Sequence, residues 1–104
     1  MQTSGSTTAA RKVALVTGAG KRIGRAIALG LARAGWDVAV HYRGSETAAR
    51  ETADGVRAAG CRAALLQCEL ADEAQARGLL ARVVAELGSV TCVVNNASLF
   101  EYDN

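Results

Sequence analysis

Four apolar runs along the chain alternate with three stretches of helical periodicity. KVALVT (12–17) is nearly continuous in apolar residues, the pattern of a strand covered on both faces. WDVAVHY (36–42), RAALLQC (62–68) and VTCVVN (90–95) read as the second, third and fourth strands. Between the first two, Ile23, Ile27 and Leu31 recur at helical spacing, with Gly35 closing the helix. Ser45 stands where a helix cap is expected, ahead of a stripe of Ala49, Ala53 and Val56 that ends at Gly60. Asp72 with Gln75 resembles a capping box. Leu79, Leu80, Val83, Val84 and Leu87 then line the third helix up to Gly88.

The order is β-α-β-α-β-α-β. Strands joined through helices run parallel with right-handed crossovers. The fold class is therefore α/β, a doubly wound parallel sheet of Rossmann type, with expected strand order 3-2-1-4. A sheet that stops at its fourth parallel strand leaves that strand as an open edge. Residues 12–104 are accordingly read as the N-terminal part of a single domain whose remainder adds strands beside the fourth. Residues 1–11 read as a flexible polar tail.

Composition narrows the function classes. The chain has 104 residues, half of them hydrophobic and none proline, and a net charge of only +2. Its scattered basic residues form no nucleic-acid stripe. No apolar run is long enough to cross a membrane, and the start has no signal-like apolar core. Cys61, Cys68 and Cys92 are odd in number and lack Cys-x-x-Cys spacing. They read as buried thiols of a reduced compartment, which makes the cytoplasm the expected location, and no metal site is expected.

The chemistry concentrates after the first strand, in TGAGKRIG (17–24). Gly18 permits a tight bend off the strand, and Gly24 lets the following helix pack closely on the sheet. The helix-start amides then point at an anion such as pyrophosphate. Arg22 stands where the commonest form of this turn has glycine. A cation at a helix N-terminus opposes the dipole, so a bound anion explains it better than solvent does. An acid that would grip a ribose 2′-hydroxyl is expected about twenty residues past the turn. The second strand instead ends in His41-Tyr42-Arg43-Gly44-Ser45. Arg43 and Ser45 suit a 2′-phosphate, with Lys21 adding charge, so NADP(H) is preferred over NAD(H).

TGAGKRIG together with NNAS (95–98) resembles the short-chain dehydrogenase/reductase family, whose turn reads Thr-Gly-x-x-x-Gly-x-Gly and whose fourth strand leads into Asn-Asn-Ala-Gly. The departures are Lys21-Arg22 in the turn, HYRGS after the second strand, and Ser98 with Phe100 after the fourth. They are similar to the pteridine reductase branch of that family. The resemblance implies a role for Gly18, Lys21, Arg22, Ile23, Gly24, His41, Tyr42, Arg43, Ser45, Glu69, Leu70, Asn96 and Ala97 in cofactor binding. Glu69 would reach the adenine amino group, Asn96 and Ala97 would run beside the adenine-side ribose, and Asn95 would brace the central strands. It implies that Ser98, Phe100 and Arg22 meet a pterin or dihydrofolate-like substrate, with Phe100 stacked on its ring.

Reduction also needs a proton donor, which in this family is a Tyr-x-x-x-Lys pair. The sequence contains no such pair, and Tyr102 is followed by Asp103 and Asn104. The chain is thus expected to hold the cofactor half of an enzyme, to contain no catalytic residue and to be inactive alone. The resemblance implies a homo-oligomer, a tetramer, when intact. Two other readings stay open: another short-chain reductase, acting on 3-oxoacyl carrier-protein, sugar or steroid carbonyls, and a non-catalytic nucleotide-binding module.

Overall fold

The computed structural model describes residues 11–20 and 22–96. Its elements are β1 (Val13–Val16), α1 (Arg22–Arg33), β2 (Asp37–Tyr42), α2 (Glu46–Ala58), β3 (Ala63–Gln67), α3 (Glu73–Leu87) and β4 (Cys92–Val94). The four strands form one sheet in the order β3-β2-β1-β4, as the apolar runs predict. All pairings are parallel, with Val13 opposite Asp37, Ala14 opposite Cys92 and Val38 opposite Ala63. β1 is buried at every position. It sends Val16 into a cluster with α1 and α2, and Val13 and Leu15 into a second cluster with α3.

α1 sits on the sheet differently from its sequence pattern. The buried face is Gly24, Ala28 and Ala32. Ile23 is 51% exposed, while Ile27 and Leu31 only flank the core. Small residues carry little hydrophobic signal, yet they let helix and strand backbones approach closely. α2 buries Ala49, Ala53 and Val56 as expected, and adds Thr52. α3 buries Leu79, Val83 and Leu87 and leaves Leu80 and Val84 exposed. Ser45 occupies the N-cap position of α2, but its side chain makes no capping hydrogen bond. Asp72 does cap α3, accepting from the amides of Ala74 and Gln75. Gln75 completes this only in part: its Nε2 donates to Asp72, and its Oε1 accepts from the Glu69 amide.

The N-terminal ends of the strands are held by a buried carboxylate. Asp37 is fully buried. It accepts from Arg11 Nε at 2.9 Å, from Arg62 Nε at 2.9 Å and from the Arg62 amide at 2.8 Å. Arg62 also donates to the Leu87 carbonyl, which joins β3 to the end of α3. Arg11, counted with the polar tail in the sequence, is part of the fold. Among the described residues no helix is long and apolar enough to cross a membrane.

Candidate functional site

The opposite, C-terminal ends of β1, β2 and β4 converge on the turn 17–24. Parallel α/β sheets bind ligands at this edge, where the strand order reverses. Gly18 adopts φ +63°, a left-handed conformation that glycine reaches without steric cost. Its carbonyl accepts from Asn96 Nδ2 at 3.1 Å, beyond the end of β4. Gly24 is the point of closest approach. A Cβ there would overlap the Gly18 carbonyl oxygen and lie 2.8 Å from Asn96 Nδ2. The start of α1 is therefore pressed against the end of β1, and the first-turn amides of a helix lack intrahelical acceptors.

Arg22 is the first residue of α1 and has φ +56°. It is the sole non-glycine residue with positive φ among those described. The chain keeps the backbone shape that suits glycine and places an exposed guanidinium on it. A side chain in this region costs roughly 1–2 kcal/mol. Arg22→Gly is expected to raise stability by about 1 kcal/mol or less, because glycine's extra unfolded-state entropy offsets part of the relief. Urea denaturation of both forms measures the difference.

The remaining predicted residues separate into those the turn gathers and those it does not. Arg43 and Glu69 face each other, Nε to Oε1 at 3.7 Å, and both are partly exposed. Gln67 Nε2 donates to the Arg43 carbonyl at 2.9 Å, and the Ala71 amide donates to Glu69 Oε2. Arg43 and Glu69 thus lie side by side on the rim. Ser45 contributes through its backbone, its carbonyl accepting from Ala49. Tyr42 is half-buried, its carbonyl accepting from the Cys68 amide. Leu70 packs against the α3 cluster. Ile23 projects outward beside Arg22. Lys21, Ala97, Ser98 and Phe100 lie outside the described residues.

Two sequence expectations change here. His41 is 2% exposed and both ring nitrogens are engaged inside the protein. Nδ1 accepts from the Gly18 amide at 2.9 Å, and Nε2 lies 2.9 Å from the Cys68 carbonyl. It supports the turn from beneath. Asn96 shares the bracing role expected of Asn95 alone. Asn95 is exposed and accepts from Thr17 Oγ1. Asn96 is buried and holds the Gly18 carbonyl, while its Oδ1 is a buried acceptor with no hydrogen-bond partner among the described residues.

Sequence reasoning missed Thr52 and Arg25. Thr52 Oγ1 lies 3.3 Å from the Gly20 carbonyl and 3.2 Å from the Ala48 carbonyl, so its one proton is shared between the turn and its own helix. Arg25 Nε donates to that same hydroxyl, and its Nη2 reaches the Ala48 carbonyl and Glu51. The signal for Thr52 was present: it falls within the 49-52-53-56 stripe, where a polar residue on a buried face calls for a partner.

Comparison with known proteins agrees with this arrangement. A family model described as short chain dehydrogenase matches residues 12–104. A 3-oxoacyl-(acyl-carrier-protein) reductase, FabG, of Staphylococcus aureus is 41% identical over 88 residues, which is 85% of this chain and 36% of that protein. A protein of Burkholderia cenocepacia solved with bound NADP superposes with a TM-score of 0.80 at 38% identity, over 83% of this chain and 34% of that one. An acetoin dehydrogenase from Enterobacter cloacae gives 0.80 at 35% identity, over 85% and 35%. The chain thus spans about a third of the length of these relatives. Their names support an oxidoreductase of this kind and do not single out the pteridine reductase branch that the turn resembles. On the family match and the shared fold, the chain belongs to the short-chain dehydrogenases.

Proposed function

We propose that this chain is the cofactor-holding segment of an NADP(H)-dependent oxidoreductase that reduces a carbonyl-type small molecule. The observation that carries the reading is the contact of Gly24 with Gly18 and Asn96, which presents the α1 amides at the edge of a parallel sheet with Arg22 beside them. The residues fit such a cofactor. The first turn of α1 suits a pyrophosphate. Arg43 stands at the end of β2, where an acid would select NAD. Asn96 Oδ1 is a buried acceptor without a partner among the described residues, a need that a hydroxyl of the bound nucleotide would meet. The NADP bound in the Burkholderia relative lends weight to that choice of cofactor.

The cofactor supplies the hydride; the residues described here bind and orient it. The amides at 22–24 hold phosphate, Arg43 reads the 2′-phosphate, and Glu69 keeps Arg43 on the rim. The proton donor comes from elsewhere, because no Tyr-x-x-x-Lys occurs in the sequence. Arg43→Ala is expected to weaken NADPH binding about ten- to a hundredfold and NADH binding far less. Titration calorimetry with both nucleotides measures this, and an equal loss for both would reject Arg43 as the reader of the phosphate.

The names of the relatives favour an oxoacyl or small ketone substrate. A second reading, a pterin or dihydrofolate-like ring, is favoured by Arg22. Its guanidinium is held at positive φ, where a planar fork of donors can meet both phosphate and a substrate carbonyl. Turnover of dihydropterin, dihydrofolate and acetoacetyl substrates, in an enzyme carrying this segment and its Tyr-x-x-x-Lys, separates the two. Assembly as a homo-oligomer belongs to the same proposal. A purely nucleotide-binding module would bind NADPH and turn over none of these substrates.

A further inference from the structure

We propose that His41 is the positioning residue of the phosphate turn, and that cofactor binding depends on its imidazole staying neutral. The inference rests on the nucleotide-binding reading above and adds a residue and a proton to it.

The hydrogen-bond partners determine the state of the ring. The Cys68 carbonyl can only accept, so Nε2, 2.9 Å away, carries the proton. The Gly18 amide can only donate, so Nδ1, at 2.9 Å, presents its lone pair. The backbone of the same residue holds the next amide, the His41 carbonyl accepting from Ala19 at 2.9 Å. One residue therefore engages two consecutive amides of the turn and fastens them to the end of β3. A consequence for the site is that neither the Gly18 nor the Ala19 amide is available to phosphate. The anion must be met from Gly20 onward, by the part of the turn that His41 holds in place.

A second proton on His41 would enter at Nδ1 and set one donor against another. The Gly18 contact would then break. Burial pushes the imidazole below its usual value, and the Arg82 charge on α3 acts in the same direction. The Cys68 carbonyl and the Glu69 carboxylate act the other way without reversing the shift. The Cys68 thiol is itself raised by burial and so stays neutral. The sign follows. Above about pH 6.5 the imidazole is neutral in folded and unfolded chains alike, and the turn is intact. As pH falls below that, the unfolded chain takes up the proton first, and stability declines until the folded-state value is passed. Cofactor affinity falls once the folded imidazole itself is protonated.

Two variants separate the two bonds. His41→Asn can place an oxygen where Nδ1 lies, and cannot titrate. His41→Gln can place an amide donor near the Cys68 carbonyl, and loses the acceptor for Gly18. NADP+ binding is measured by calorimetry from pH 8 to pH 4.5, with circular dichroism confirming the fold at each pH. The wild type is expected to lose up to tenfold in affinity per pH unit below its imidazole pKa. H41N should keep affinity within about threefold at pH 8 and lose that part of the acid dependence. H41Q should bind at least tenfold more weakly at pH 8. The cofactor's own 2′-phosphate titrates in every variant, so only the difference from wild type is read. The Gly18 amide resonance, followed by NMR without nucleotide, should move with His41 protonation. Identical pH profiles for wild type and H41N, full affinity in H41Q, or a Gly18 amide indifferent to pH would each overturn the proposal. A wild type that binds no NADP+ at pH 8 would remove the nucleotide reading instead, and the amide titration would still decide whether His41 controls the turn.

Discussion

Gly24→Ala is expected to destabilise the protein by about 3 kcal/mol or more and to abolish NADPH binding. The new methyl would overlap the carbonyl oxygen of Gly18 and crowd Asn96 Nδ2. Both neighbours are hard to move. Gly18 sits in a turn whose amide is tied to His41, and Asn96 is buried at the end of β4. Relief requires α1 to lift from β1, which would move its first-turn amides away from the proposed phosphate position and break the Asn96 bond to Gly18. Gly30→Ala is the control, on the same helix. A Cβ there meets nothing within 4 Å, so alanine should stabilise by up to about 1 kcal/mol through helix propensity and unfolded-state entropy. Urea unfolding and nucleotide titration of the two variants should therefore move in opposite directions. A Gly24→Ala protein as stable as wild type would mean that the helix does not contact the strand end as described.

The second large effect lies at the other end of the sheet. Asp37→Asn is expected to cost about 2–3 kcal/mol. The substitution removes the negative charge that Arg11, Arg62 and the Arg62 amide share, and aims an amide donor at one of those donors. Both guanidinium groups are roughly half exposed and can return to water, which keeps the cost at the lower end for a broken buried pair. Burial alone would raise the Asp37 carboxyl. The Arg62 amide and the two arginine side chains outweigh it and hold the carboxyl below its usual value of 3.8. Its contribution is then complete above that value and is lost as pH falls through the lower, folded-state one. Wild type should lose stability in this acid range by thermal melting, and the Asn variant should lack that component. This end of the sheet is remote from the turn, so NADPH affinity at neutral pH should be unchanged in the folded variant.

The strand order and the close glycine turn of the candidate site were legible because both rest on local pattern. Apolar runs separated by helix-length segments dictate parallel strands, and a glycine turn between strand and helix marks where an anion binds. Gly18 and Gly24 behave as their positions implied. What was not legible depends on residues distant in sequence. The pairing of Asp37 with Arg11 and Arg62 spans 26 and 25 positions, and nothing in the spacing announces it. His41 and Tyr42 are adjacent in sequence and differ in burial, yet only the tertiary partners of His41 show that it serves the turn. The buried face of α1 was hidden for a different reason. Ile23, Ile27 and Leu31 dominate any hydrophobic count, while Gly24, Ala28 and Ala32 are what the sheet contacts. The bracing bond of Asn96 to Gly18 was not foreseen because strand alternation does not continue past Val94.

Gly24, Ala28 and Ala32 give α1 a seat with no torsional freedom. None of the three side chains has a rotamer to exchange, so this contact has a single geometric solution, not a family of near-equal ones. Core substitutions elsewhere can be absorbed by repacking; along this seam they are transmitted to the backbone. Substitutions that leave the registry of helix and sheet unaltered are thereby confined to exposed or partly exposed rim positions such as Arg22, Arg43 and Glu69.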